Sequence, residues 1–177
     1  MLNSMLVSGP THKTKSIAVV GPIGSGKTEQ LSTFAEKLIS QGKKVCVIGV
    51  KEYSEIPNRM KVDQNIVTYI DPVQDEFPGE GKQLMFLQVP MTAIQNGEKV
   101  FHLALIENLL KHFDVLLVDE TTYALRDLID AGNFKDFVKV CTDYETHLVV
   151  TAQDLRQLNV SYEGLVFDAI VSVFSLF

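Results

Sequence analysis

Apolar residues in this chain fall into short unbroken blocks and into stripes with helical spacing, and the two kinds alternate. Ile17, Ala18, Val19 and Val20 form a block that stops at Gly21-Pro22, which reads as a buried strand ended by a turn. Leu31, Phe34, Ala35, Leu38 and Ile39 then recur at offsets of three, four and seven, the mark of one helix face, and Gly42 stands where a helix ends. Residues 45–50 form a second continuous apolar block. A strand, a helix and another fully apolar strand in succession predict a parallel sheet with crossover helices.

The same reading extends down the chain. Strands are predicted over 84–89, 115–118, 148–151 and 169–177, and residues 66–70 alternate weakly. A helix is predicted over 101–113, with Leu105, Ile106, Leu109, Leu110 and Phe113 toward the core. Two helical pieces, 123–129 and 134–141, are separated at Gly132, with Phe134, Phe137 and Val138 as a core stripe. The segment 51–98 is punctuated by Pro57, Pro72, Pro78 and Pro90 and reads as short strands and loops serving as a lid or a partner contact. Asp71, Asp75 and Glu76 within it read as solvated loop. Residues 1–15 are polar and read as an N-terminal arm, leaving 16–177 as a single domain.

Composition narrows the class. The 177 residues are 46% hydrophobic and 21% charged, enough apolar material for a full core without metal or disulfide support. Cys46 and Cys141 lie far apart without C-x-x-C spacing and read as buried, inert thiols. No apolar run approaches the roughly 20 residues that cross a bilayer, and the N-terminus lacks the pattern of a signal peptide. A soluble, cytoplasmic protein is expected. The net charge is −6 and only Arg59, Arg126 and Arg156 are arginines. That balance opposes a broad basic surface on a monomer but permits a ring that gathers a few lysines around a channel. His102, His112 and His147 have no partners at metal spacing and read as surface or strand edge.

Candidate chemistry begins at Gly21-Pro22-Ile23-Gly24-Ser25-Gly26-Lys27-Thr28, a full G-x-x-x-x-G-K-[ST] match between a predicted strand and a predicted helix. The glycines let backbone N–H groups converge on phosphate oxygens, and the following helix aims its positive end at the same anion. Lys27 would reach the β- and γ-phosphates, and the Thr28 hydroxyl would hold Mg²⁺. Asp119-Glu120 closes the block at 115–118, at the carboxyl edge of the sheet where α/β folds bind ligands. Asp119 would serve Mg²⁺, and Glu120 would orient and deprotonate an attacking water. Gln153 follows the strand at 148–151 and would touch the γ-phosphate and that water.

At V-V-G-P-I-G-S-G-K-T, V-L-L-V-D-E, the strand ending V-V-T-A-Q and the terminal F-D-A-I-V-S-V-F-S-L-F, the chain resembles the FtsK/HerA superfamily of P-loop ATPases. The resemblance spans residues 16–177, with 51–98 lacking a clear counterpart. It implies a three-layer α/β, RecA-like P-loop NTPase with a mainly parallel central sheet, ATP and Mg²⁺ as cofactors, and a homo-oligomeric ring of five or six subunits moving double-stranded DNA. A viral genome-packaging ATPase is the implied type, with a capsid or portal as partner, in host cytoplasm or associated with the virion. Family-like roles fall on Lys27, Thr28, Asp119, Glu120 and Gln153. Pro22-Ile23 departs from the threonine-containing turn common in these loops. For the arginine that such rings direct at a neighbour's nucleotide, Arg156 is favoured over Arg126.

Two other readings compete. The loop and acidic pair also resemble those of thymidine kinases, in which the glutamate would act on a nucleoside hydroxyl. The aromatic after their acidic pair is displaced here to Tyr123, and the cysteines of their zinc site have no equivalent. A nucleotide-dependent assembly switch is the third reading; it has no need of a positioned base such as Glu120.

Overall fold

The computed structural model describes residues 16–78, 82–158 and 169–172; the arm predicted over 1–15 and residues 173–177 lie outside these. The apolar blocks form seven strands: β1 (Ser16–Val20), β2 (Val45–Val50), β3 (Val67–Ile70), β4 (Leu84–Val89), β5 (Val115–Val118), β6 (His147–Ala152) and β7 (Ala169–Ser172). They make one sheet in the order β3-β4-β2-β5-β6-β1-β7, with every neighbouring pair parallel.

The unbroken apolar character of the strands follows from burial on both faces. Successive residues of a strand enter two different cores. Ile17, Val19, Val45, Val47, Leu84, Phe86, Val115, Leu117 and Val149 pack on one face. Ala18, Cys46, Ile48, Met85, Leu87, Leu116, Val118, Leu148 and Val150 pack on the other. Helix α1 (Lys27–Ser40) covers the first face with Leu31, Phe34, Ala35 and Leu38. It ends as the sequence predicts: Gly42 takes φ +78° and its N–H donates to the Ile39 carbonyl at 2.9 Å. The second face is covered by α4 (Leu103–His112), α6 (Arg126–Asp130) and α7 (Phe134–Asp143), through residues including Leu105, Leu109, Leu128, Phe134 and Phe137. The result is the predicted three-layer α/β arrangement. Each such side chain contributes on the order of 1.5–3 kcal/mol on burial.

Three expectations need correction. Residues 84–89 are no part of a lid: β4 is an interior strand, paired with β2 over six residues and with β3 on its other side. The prolines lie outside the strands, so they leave the ladders intact. Around them form two short helices, α2 (Ile56–Arg59) and α3 (Met91–Gln95), and a 3₁₀ turn, Gln64–Ile66. Asp71 is buried rather than solvated, because its carboxylate accepts from Lys51 Nζ at 3.0 Å and from Val73 N–H at 3.1 Å. The helix predicted over 123–129 is two: α5 (Thr121–Ala124) and α6, separated at fully buried Leu125, whose backbone leaves the helical region (φ −111°, ψ 28°).

Candidate nucleotide site

The site lies at the carboxyl ends of β1, β5 and β6, where three turns meet. The loop between β1 and α1 carries two left-handed glycines, Gly24 (φ +78°) and Gly26 (φ +82°), conformations that cost a residue with a Cβ roughly 1–2 kcal/mol. The loop is closed on itself: Ser25 Oγ donates to the Pro22 carbonyl at 2.7 Å. Its first residue is anchored to the neighbouring strand, with Gly21 N–H donating to the Ala152 carbonyl at 3.1 Å. Lys27 folds back over the loop, and Nζ donates to the carbonyls of Gly21 and Pro22, both at 2.7 Å. Partial burial lowers the Lys27 pKa, while the charges of Glu120 and Asp119 act in the opposite sense.

Asp119 follows β5 and is 3% exposed. Two hydroxyls aim at its carboxylate: Thr28 Oγ1 donates to Oδ2 at 3.1 Å, and Thr151 Oγ1 donates to Oδ1 at 3.2 Å. Burial pushes the Asp119 carboxyl above its ordinary range, although those hydroxyl bonds and Lys27 pull it back down. Glu120 stands just before α5, as its N-terminal cap, in the left-handed region (φ +53°, ψ +48°), an uncommon conformation for a residue that is not glycine. Its side chain is exposed to the cleft. Burial of part of the carboxyl and then the charge of Asp119 raise its pKa, with Lys27 opposing.

A cleft of about 420 Å³ unites these groups, in the size range of small-ligand sites. Ile23 to Glu29 line one side and Asp119, Glu120 and Thr122 another; Thr151, Ala152 and Gln153 line the remainder with Tyr53, Glu55 and Arg59. The sequence-predicted residues Gly24, Ser25, Gly26, Lys27, Thr28, Asp119, Glu120 and Gln153 are thus gathered in one cleft. Gly21 and Pro22 support it from beneath through the carbonyls that hold Lys27. Ile23 projects from the loop, 83% exposed. Arg156 stands apart. It lies on the 3₁₀ turn Leu155–Leu158, does not line the cleft, and is ion-paired with Asp154. The arginine that does line the cleft is Arg59, on α2, where it pairs with Glu55. Sequence reasoning missed Tyr53, Glu55 and Arg59 because they belong to no motif. The available indication was their position just after β2, beside β5.

Oxygen donors at this point suit a hard divalent cation. The Thr28 hydroxyl and the Asp119 carboxylate converge, and Mg²⁺ at phosphates takes one or two carboxylates with the phosphate oxygens and water completing its shell. No group of three or more His, Cys, Asp or Glu side chains arranged for a metal occurs among the described residues, and a phosphate-bound Mg²⁺ needs none.

The parallel sheet, the glycine loop opening α1 and the acidic residue after β5 define a P-loop NTPase fold. Solved structures with this fold include the genome packaging NTPase B204 from Sulfolobus turreted icosahedral virus 2 in complex with AMPPCP. That structure shows 15% sequence identity and a TM-score of 0.55, covering 82% of this chain and 69% of that one. The same NTPase in complex with ATP-gammaS gives 14% identity and a TM-score of 0.51, covering 82% of this chain and 67% of that one. No protein-family model and no curated protein matches the sequence. No helix among the described residues is long and apolar enough to cross a membrane.

Proposed function

We propose that the protein is an ATP-hydrolysing motor of the FtsK/HerA type that translocates nucleic acid, with viral genome packaging as its setting. One observation carries the hydrolytic part: Lys27, Thr28, Asp119 and Glu120 open into the same cleft, at the end of a glycine loop built to receive phosphate. In this reading the loop N–H groups and Lys27 bind the β- and γ-phosphates. Thr28 and Asp119 hold Mg²⁺, which when bound neutralises charge on those phosphates. Glu120 aligns a water with the γ-phosphorus and accepts its proton as the oxygen attacks, while the bond to the β,γ-bridging oxygen breaks and ADP leaves with that oxygen. Gln153, on the third side of the cleft, contacts the γ-phosphate and passes its loss to the chain beyond β6. Arg59 adds a second cation from the same subunit, while Arg156 serves a neighbour's site in a ring of five or six.

Hydrolysis is preferred to transfer onto a nucleoside for a spatial reason. A nucleoside acceptor must lie against Glu120, and the cavity of about 700 Å³ that opens beside Ile94, Phe101, Tyr123 and Arg126 does not include Glu120. The likeness to the genome packaging NTPase B204 supports the motor reading. The chain's net charge of −6 requires that any DNA contact be local, as in the lining of a ring. The test is ATP turnover with and without duplex DNA, alongside light scattering for subunit number. Stimulation by DNA in an oligomer is expected; turnover indifferent to DNA, or phosphorylation of thymidine, overturns the motor.

A further inference from the structure

Strand β6 separates β1 from β5, so its last residues touch both the phosphate loop and the acidic turn. Ala152 accepts from Gly21 N–H on one side. On the other, Thr151 is 1% exposed, and both its hydroxyl and its N–H are bonded at the turn. Its Oγ1 accepts from Glu120 N–H at 3.0 Å and donates to Asp119 Oδ1 at 3.2 Å. Its N–H donates to Thr121 Oγ1 at 3.2 Å, and that hydroxyl donates in turn to the Val118 carbonyl at 3.3 Å. One hydroxyl therefore fixes two consecutive acids at once.

The consequence is specific to the backbone of Glu120. A non-glycine residue held at φ +53° persists only where its surroundings over-determine it. Here the N–H of the strained residue is bonded to Thr151, and the residues on either side are bonded to Thr151 as well. We infer that Thr151 is a positioning residue: its hydroxyl keeps Glu120 in the left-handed conformation that presents the carboxylate to the cleft and fixes the Asp119 carboxylate that receives Thr28. This inference rests on the hydrolytic reading of Glu120. It also gives β6 a mechanical part, since Gln153 is two residues beyond Thr151 on the same backbone. A shift of the acidic turn is transmitted to Gln153 through a strand end that is bonded on both sides.

Valine and serine separate this role from mere packing. Thr151→Val keeps the shape and both branches at Cβ but removes the hydroxyl, leaving the Glu120 N–H and a buried Asp119 oxygen short of a partner. Thr151→Ser keeps the hydroxyl and loses the methyl. A packing role ranks valine above serine. A positioning role ranks serine above valine, with kcat falling about 10- to 100-fold in Thr151→Val while KM for ATP moves little. In a Glu120→Gln background the same substitution should have little further effect on kcat, because the group being positioned is already disabled. Amide hydrogen exchange gives a readout that does not depend on turnover. Glu120 N–H should be protected in the wild type and in Thr151→Ser and should exchange at least tenfold faster in Thr151→Val. If Thr151→Val does not fold, Thr151→Ala against Thr151→Ser makes the same comparison. Unchanged exchange at Glu120, or valine outperforming serine in kcat, overturns the inference. A wild type without turnover overturns the hydrolytic reading instead, and exchange at Glu120 still decides the placement of Thr151.

Discussion

Thr28 and Asp119 are 91 positions apart in the chain, and Thr28 Oγ1 donates to Asp119 Oδ2 at 3.1 Å. The bond joins the first turn of α1 to the end of β5 across β6, which lies between β1 and β5 in the sheet. It brings together the hydroxyl of the phosphate loop and the most deeply buried acid of the cleft.

That acid carries a stability cost. Asp119 is buried against the Thr28 and Thr151 hydroxyls with no direct ion pair among the described residues, and a buried carboxylate is stable only to the degree its partners compensate. Asp119→Asn preserves the shape and an oxygen that accepts from Thr28 and Thr151. The nucleotide-free variant should melt higher by about 2–4 °C, corresponding to ~1 kcal/mol for a chain of this size. It should lose most of the thermal shift produced by Mg²⁺ with ATP. A nucleotide-dependent shift as large as the wild type's would remove Asp119 from the proposed Mg²⁺ site.

Glu120 should separate binding from turnover. Glu120→Gln retains the side-chain size and cannot accept the water's proton, so kcat should drop by about a hundredfold or more. Affinity for a fluorescent ATP analogue should stay within a few-fold of wild type. Loss of affinity equal to the loss of rate would make Glu120 a binding group rather than a base.

Arg59 lines the cleft while paired to Glu55, and both side chains are largely exposed. An exposed pair four residues apart is screened by solvent and contributes little, so neither substitution should alter melting appreciably. Arg59→Ala should raise KM for ATP several-fold. Glu55→Ala should lower it, because the guanidinium is then held by phosphate alone. Titration of both variants by steady-state kinetics checks the pair; equal KM values in all three proteins would place Arg59 outside the nucleotide's reach.

How much of this was legible beforehand depends on where each interaction is encoded. The phosphate loop and the acidic pair were readable because each is local: the glycines, Lys27 and Thr28 are contiguous, and Asp119-Glu120 directly follows an apolar block. The core stripe of α1 and the burial of Phe134, Phe137 and Val138 followed from helical spacing. Strand order was not readable, since nothing in the block at 147–152 says that it lies between β1 and β5. The role of Thr151 depends on that order. Asp71 looked solvated because the lysine that pairs with it lies 20 residues earlier. Arg59 looked unremarkable in sequence because it reaches the cleft only through the parallel pairing of β2 with β5.

The cysteines give a pH prediction remote from the cleft. Burial pushes the Cys141 thiol up to about 12 and raises Cys46 further. A thiol that holds its proton more tightly when folded contributes stability that is whole below the ordinary thiol value of 9.0 and is lost as pH rises through the folded value. The denaturant midpoint should therefore fall between pH 9 and about 12. The Cys46→Ala, Cys141→Ala double variant should flatten that fall, though starting from a lower midpoint. At pH 8 both native thiols should resist iodoacetamide and react once the chain is unfolded; rapid alkylation of the native protein would contradict their burial.

The most direct measurement is phosphate release from ATP with Mg²⁺ by the purified wild type, Lys27→Ala and Glu120→Gln side by side, with nucleotide binding measured on each. The expected pattern is turnover with binding in the wild type, neither in Lys27→Ala, and binding without turnover in Glu120→Gln. Wild-type turnover in both variants would contradict a single triphosphate site built from the loop at Lys27 and the acids at the end of β5.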